Sequence, residues 1–371
     1  MKTIAQKLAL FGSSTLVSLI FVEILVRLFI PQQLIILRPD IWRPDITFGH
    51  RHYENANTVV NVGEGTVHFV TDSNGYRVNR NRPENKTKPD ISILTIGDSF
   101  LEGLQVENEF TMPEVMRKYL ENKYNKSVQV DNTGVGGWNP NHYYLEAKRA
   151  LAKRQYDLGI VFLCVINDII TTEVASFPPR NCAPRHELRL PQSLEWDEII
   201  DAILYPINDF LETRSHSFIL FKEVARIQLA RIGLTAYYFP SIFEVEEASS
   251  SQWGTTAAVC EKIQSEFSKY NTPVFFVLLP AVYQVHDEVF KEYIESFSID
   301  PESVKLVQPN ELLKDEFEAR GLQLVDPLEF MRRKAEDDLK MYGSVNIHFS
   351  ENGHQVVSEY ILPIVESYLT E

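Results

Sequence analysis

The chain has 371 residues, 44% of them hydrophobic and 23% charged, and a formal net charge of −15. This is the composition of a globular chain with a sizeable core, in one large domain or two medium ones, and it excludes a disordered polymer. The negative balance argues against nucleic acid as a partner, because phosphate binding needs clustered Lys and Arg. Cys164, Cys182 and Cys260 are widely spaced, match no metal-ligand pattern and allow at most one disulfide. Cys164 lies in an apolar run and reads as a small buried hydrophobe. No spacing implies a metal or any other cofactor.

After Lys2 and Lys7, the run from Leu8 to Ile30 is uncharged and mostly apolar except for Glu23 and Arg27. As a helix it is about 35 Å long, enough for a hydrocarbon core of roughly 30 Å. Glu23 and Arg27 stand four apart and can neutralise each other on one face, toward the end of the span, where a charge costs less than at the centre. A cleaved signal peptide and an amphipathic surface helix are the competing readings. No small-x-small cleavage pattern follows the run, which favours an uncleaved membrane anchor over residues 1–30. Lys2 and Lys7 favour an internal N-terminus, although Arg38 and Arg43 follow on the other side. The short tail and signal-like layout then put the body on the extracytoplasmic, periplasmic side.

Residues 31–88 are rich in Pro, Asn, Arg and Gly, with β-prone pieces at Thr58–Val60 and Val67–Val70 and a strong turn signal at Asp72-Ser73-Asn74-Gly75. They read as a juxtamembrane connector with short β elements. Its basic residues from Arg77 to Lys88 read as a solvated loop. From residue 89 onward, the apolar runs Ile91–Ile96, Val128–Val130, Leu158–Val165, Val274–Leu279 and Leu322–Val325 alternate with helical stretches. These lie near Pro113–Tyr124, His142–Arg154, Thr255–Tyr270, Val282–Phe297 and Asn310–Arg320, and a last helix runs from Gly353 to Tyr368. The alternation predicts a three-layer α/β domain over residues 89–371, a mostly parallel sheet flanked by helices. The segment near 170–250 breaks the rhythm. It contains prolines, Cys182 and helical pieces around Trp196–Phe210 and Phe218–Ile232, and reads as an insertion next to the site.

Four clusters fall just past predicted strands or before the last helix. Gly97-Asp98-Ser99-Phe100 follows the first run, in a position where open α/β sheets place their sites. Asn132-Thr133-Gly134-Val135-Gly136-Gly137-Trp138 follows the second, and its glycines let backbone N–H groups approach a ligand. Asn167-Asp168 follows the third, and His348 with Gly353-His354 comes before the last helix. Each alone has an ordinary reading, as a capped turn, a tight turn, a helix cap or a structural histidine. Together they supply a nucleophile, a general base and oxyanion donors at one sheet edge, the inventory of acyl transfer.

In these blocks and their order the chain resembles the SGNH or GDSL-type serine hydrolases, whose fold is a flavodoxin-like three-layer sandwich. Gly97-Asp98-Ser99-Phe100 matches the first block, Gly137 the second, Asn167-Asp168 the third, and His348 with Gly353-His354 the last. Glu102 and Gly103 also fit the Gly-Asp-Ser-Phe-x-Glu-Gly run of membrane-anchored bacterial members. The resemblance implies Ser99 as nucleophile and His348 as base. It implies an oxyanion hole of the Ser99 N–H, the Gly137 N–H and the Asn167 amide. The Gly-x-Ser-x-Gly pattern of the other large hydrolase class is absent, since Leu101 stands two after Ser99. Two positions depart from the family. Val165-Ile166 stand where a glycine is usual before Asn167, and Asn346 stands in place of the aspartate that normally precedes the histidine. An Asn orients a neutral imidazole but does not stabilise an imidazolium as a carboxylate does. Either the site works as a Ser–His dyad with Asn346 as a weak orienter, or a carboxylate arrives from elsewhere, or the chemistry is slow or lost. His354 is a rival base whose place inside the last helix favours a structural role.

The expected activity is that of a membrane-anchored serine esterase or deacylase. Its partners would be an ester-bearing small molecule, glycan or lipid, with the membrane engaged through residues 8–30 and an O-acetyl ester among the candidate substrates. An O-acyltransferase using the same site, and an envelope protein that kept the scaffold but lost turnover, are the alternatives.

Overall fold

The structure, a computed structural model, describes residues 3–32, 34, 41–81, 88–179, 204, 207–208, 210–231, 240–245, 250–297, 299–344 and 347–370. Cys182, Asn346 and most of the helical piece predicted around residues 196–210 lie outside the described residues. In chain order, helix α1 (Ile4–Phe29) is followed by strands β1 (Trp42–Asp45), β2 (Gly49–His52), β3 (Asn57–Asn61) and β4 (Thr66–Val70). Then come β5 (Ile91–Ile96), the single-turn α2 (Ser99–Glu102), α3 (Met112–Tyr124), β6 (Val128–Asn132), α4 (Pro140–Leu151) and β7 (Leu158–Cys164). Helices α5 (His216–Arg231) and α6 (Ser250–Ser268) precede β8 (Val274–Leu279). The chain closes with α7 (Val282–Val285), α8 (Asp287–Phe297), α9 (Gln308–Ala319), β9 (Leu324–Val325), α10 (Leu328–Ala335) and α11 (Glu351–Thr370).

Two compact units result. One comprises Met1–Leu37, Asn61–Gly63 and Ala183–Tyr237, and the other Arg38–Val60, Glu64–Cys182 and Tyr238–Glu371. Most of the predicted insertion thus groups with the N-terminal helix. In that unit Thr3 and Gln6 form a capping box at the start of α1, at 3.0 and 3.3 Å, and α1 packs on α5. The 24 residues Gln6–Phe29 form the one helix, among the described residues, long and apolar enough to cross a membrane.

The second unit is built on a five-stranded sheet in the order β6-β5-β7-β8-β9, parallel throughout. Every residue of β5 and β7 is buried, which is why their sequences are continuous rather than alternating apolar runs. Helices α4, α6 and α9 pack together on one face, and α3, α10 and α11 on the other, as right-handed crossovers in this strand order require. β5 leads into α3 and its neighbour β7 leads toward α6, on opposite faces. The carboxyl ends of β5 and β7 therefore form the topological switch point, where sheets of this kind open a crevice. The predicted Val282–Phe297 helix breaks at His286, whose extended backbone (φ −111°, ψ 101°) separates α7 from α8. Helix α10 was not legible because its buried residues are only Leu328 and Met331, too few to set a period.

The connector belongs to this unit from Arg38 on, apart from Asn61–Gly63. β1 and β2 form an antiparallel hairpin whose turn is closed by Asp45 Oδ1, accepting from the N–H groups of Thr47 and Phe48 at 2.9 and 3.0 Å. Phe48 at that turn stacks on Trp138, Trp138 on His142 of α4, and His142 on Phe177, with ring centroids 5.1, 5.7 and 3.6 Å apart. This stack fixes the hairpin beside the turn that follows β6. The same turn approaches α2 so closely that a Cβ on Gly134 would lie 2.4 Å from the backbone N of Glu102. Backbone cannot yield as a flexible side chain does. Gly134→Ala is expected to cost about 1–3 kcal/mol through overpacking, read as a lower denaturation midpoint with unchanged slope; an unaltered midpoint would show that the turn is free to move.

Candidate active site

Ser99 is the first residue of α2, a helix of one turn that opens directly beyond β5. Asp98 caps it, its Oδ1 accepting from the N–H of Phe100 at 2.9 Å, while its Oδ2 accepts from the Asn167 amide at 2.8 Å. The N–H of Ser99, in the first turn, has no acceptor within the helix. At the other end, buried Arg77 donates to the carbonyls of Glu102 (2.6 Å), Gly103 and Val106 (2.6 Å). Asn132 Nδ2 donates to the carbonyl of Leu101 at 3.0 Å. Arg77 therefore corrects the expectation of a solvated loop: it serves as a cation at a helix C-terminus, where carbonyls lack intrahelical partners. Burial lowers its pKa to about 10, so it remains charged at neutral pH.

His348 Nε2 lies 2.7 Å from Ser99 Oγ, and its ring packs on Phe100 at 4.8 Å between centroids. Burial lowers its pKa to about 4, with the charge of Glu102 acting in the opposite direction. At neutral pH the ring is thus uncharged, with Nε2 able to accept the serine proton. His354, buried in α11, accepts instead from the N–H of Met112 at 3.4 Å; burial and then Arg77 hold its pKa at about 3. The structure brings Ser99, His348 and Asn167 to one edge. Asn167 uses one amide N–H on Asp98, and the amide has a second to offer. Gly137 sits at φ 77° in the turn after β6. Asn346, the expected orienter, lies outside the described residues.

Three carboxyl groups are buried here. Burial raises the pKa of Asp98 to about 6, against the hydrogen bonds from Asn167 and Phe100. Asp168 is raised well above the carboxylate range by burial and then by the charge of Asp98, while accepting from Tyr143 Oη (2.8 Å) and the Cys164 N–H (2.6 Å). Burial likewise pushes the Cys164 thiol well up, which suits the inert hydrophobe read from the sequence. The third group, Glu102, is fully buried, its Oε1 taking His52 Nε2 at 2.6 Å and Trp42 Nε1 at 3.1 Å. His52 Nδ1 faces the carbonyl of Gly75 at 3.2 Å and must donate there. Among the described residues Glu102 Oε2 has no hydrogen-bond partner, and it lies 2.8 Å from where a Cβ on Gly136 would stand, a point 3.7 Å from Ser99 Cβ. His50 donates from Nε2 to the carbonyl of Gly136 at 2.8 Å.

Trp42, His50, His52 and Arg77, which brace this site from the connector, were not found by sequence reasoning. The only signal available was a Trp and paired histidines in a short stretch, with nothing to say what they meet.

No protein-family model matches the chain, and no curated protein matches it. Among solved structures it is similar to a member of the lipolytic G-D-S-L family from Veillonella parvula, at 12% identity over 74% of this chain and 98% of that one, with a TM-score of 0.39. An acetyl xylan esterase from Geobacillus stearothermophilus matches at 13% identity over 75% and 96%, TM-score 0.39. The lipase/acylhydrolase from Enterococcus faecalis matches at 10% over 75% and 96%, TM-score 0.38. Similarity at this level leaves the functional reading to the geometry of the site.

His348 accepts a proton only when neutral, so a reaction that uses it as base gains rate as pH rises through its pKa. The acid limb of kcat/KM is expected near pH 4, below the ordinary imidazole value of about 6.5. Glu102 raises that pKa, so Glu102→Gln is expected to move the limb to still lower pH. A limb near pH 6.5 in both proteins would show instead an imidazole in water-like surroundings.

Proposed function

We propose that the chain is a membrane-anchored serine esterase of the SGNH type, acting on an ester of a cell-envelope glycan or lipid, with its α/β unit on the extracytoplasmic side. The observation that carries this reading is the 2.7 Å contact of Ser99 Oγ with His348 Nε2 at the switch point of a parallel sheet. The apolar helix Gln6–Phe29 supports the anchor.

In this mechanism His348 takes the hydroxyl proton as Ser99 Oγ bonds to the ester carbonyl carbon. The carbonyl electron pair moves onto oxygen, and the oxyanion is met by the N–H groups of Ser99 and Gly137 and the second N–H of Asn167. Collapse breaks the bond to the alcohol oxygen, which leaves with the proton from His348. Water then gives a proton to His348 and attacks the acyl-Ser99 carbonyl. Release of the acid returns that proton to Ser99 Oγ. A base with a pKa near 4 is fully available at neutral pH but has little driving force for proton removal, so a modest turnover is expected.

A fluorophosphonate probe is expected to label the wild-type chain and not Ser99→Ala; equal labelling of the two would overturn the assignment. Asn167→Ala is expected to lower kcat on the order of 10²–10³-fold with little change in KM, as loss of an oxyanion donor does. Incubation of an acyl ester with and without a glycan acceptor is expected to release free acid in both cases; acylated glycan would mark transfer instead.

A further inference from the structure

The unit that holds α1 carries a second helix, α5, with several exposed apolar residues, and what it does rests on reading α1 as the anchor. Glu23 lies in the C-terminal part of α1, about 9 Å along the axis from Phe29 at ~1.5 Å per residue. Its carboxylate closes on the N-terminal end of α5. Oε1 accepts from the N–H of His216 at 3.0 Å, and Oε2 from the N–H of Ser217 (2.9 Å), Ser217 Oγ (2.5 Å) and Ser215 Oγ (2.8 Å). Arg27 Nε adds an ion pair to Oε1 at 2.6 Å, and its guanidinium also reaches the carbonyl of Arg214. The N–H of Gln32 donates to His216 Nδ1 at 2.8 Å. A charge at this depth of a span is costly unless its oxygens are engaged. Here they are, by a helix N-terminus whose dipole favours an anion.

The same arrangement holds the start of α5 near the C-terminal end of α1. If α1 crosses a hydrocarbon core of roughly 30 Å, that end is the boundary between acyl chains and headgroups. Along α5, Phe221 and Val224 stand three apart and Leu229 eight from Phe221, within one broad side of the helix, and they are 56, 50 and 38% exposed. Just before it, Leu204, Ile207 and Phe210 are more than half exposed. Single exposed apolar residues are ordinary, but a stripe of them is not. A helix with such a stripe, held at the acyl–headgroup boundary, has the setting in which interfacial helices bury an apolar face by about 5–10 Å.

We propose that α5 lies in the interface of the bilayer that α1 crosses, its Phe221, Val224 and Leu229 stripe turned to lipid, with Glu23 as the clip that holds it there. The protein then meets the membrane twice, through a span and through a helix lying in the plane.

The test places p-benzoylphenylalanine at position 16, 221 or 224 of the full chain, reconstituted in vesicles of phosphatidylethanolamine and phosphatidylglycerol and irradiated. Covalent lipid adducts are expected at all three positions. Adducts at 16 with none at 221 and 224 overturn the interfacial placement while leaving the anchor intact; absence at all three overturns both. A crosslinked dimer at 221 in place of lipid overturns it in favour of a second copy of the chain. In Glu23→Ala, adduct yield at 221 is expected to fall several-fold with that at 16 unchanged. An unaltered yield at 221 removes the clip.

Discussion

The site depends on a helix too short to hold itself. One turn of helix fixes several residues for little hydrogen bonding, so α2 has no stability of its own. It is held from outside at each position: Asp98 and Asn167 at its start, Asn132 at Leu101, Arg77 on its last carbonyls, and His52 with Trp42 on Glu102. The partners come from the connector, from the ends of β6 and β7 and from the turn after β5. Their convergence turns a flexible tight turn into a fixed mount for Ser99.

Burial sets the electrostatics of that mount. Desolvation moves His348 down and Asp98 and Asp168 up, so in each case the less charged form is favoured. A neutral imidazole is what a serine hydroxyl needs as acceptor, yet the same burial makes the imidazolium expensive. Glu102 counters part of that cost, and the contacts of His52 and Trp42 keep its Oε1 from standing buried without a partner. Two histidines thus take complementary parts. His348 meets the Ser99 hydroxyl, and His52 meets the carboxylate behind it.

The N-terminal unit applies the same physics to a different problem. A carboxylate and a guanidinium on an apolar helix are tolerable because each finds partners, Glu23 on the start of α5 and Arg27 on Glu23 and the carbonyl of Arg214. The i,i+4 neutralisation expected from sequence is present, but the ion pair is only part of it. The larger share of Glu23's contacts comes from residues about 190 positions away in the chain, at 192–194 residues' separation.

The sequence by itself determined the sheet and the edge that carries the site. β5, β7 and β8 were legible because a strand covered on both faces is predominantly apolar along its whole length, and the blocks at Ser99 and Asn167 were placed by the strands that end before them. Only the tertiary structure decided which polar groups meet there. The resemblance names His348 as base with His354 as its rival; the folded chain adds that His348 Nε2 meets Ser99 Oγ across 249 residues and that His52 meets Glu102 across 50. Local patterns report burial and periodicity, which depend on near neighbours. A hydrogen bond between distant side chains depends on the path of the whole chain, and no spacing in the sequence encodes it.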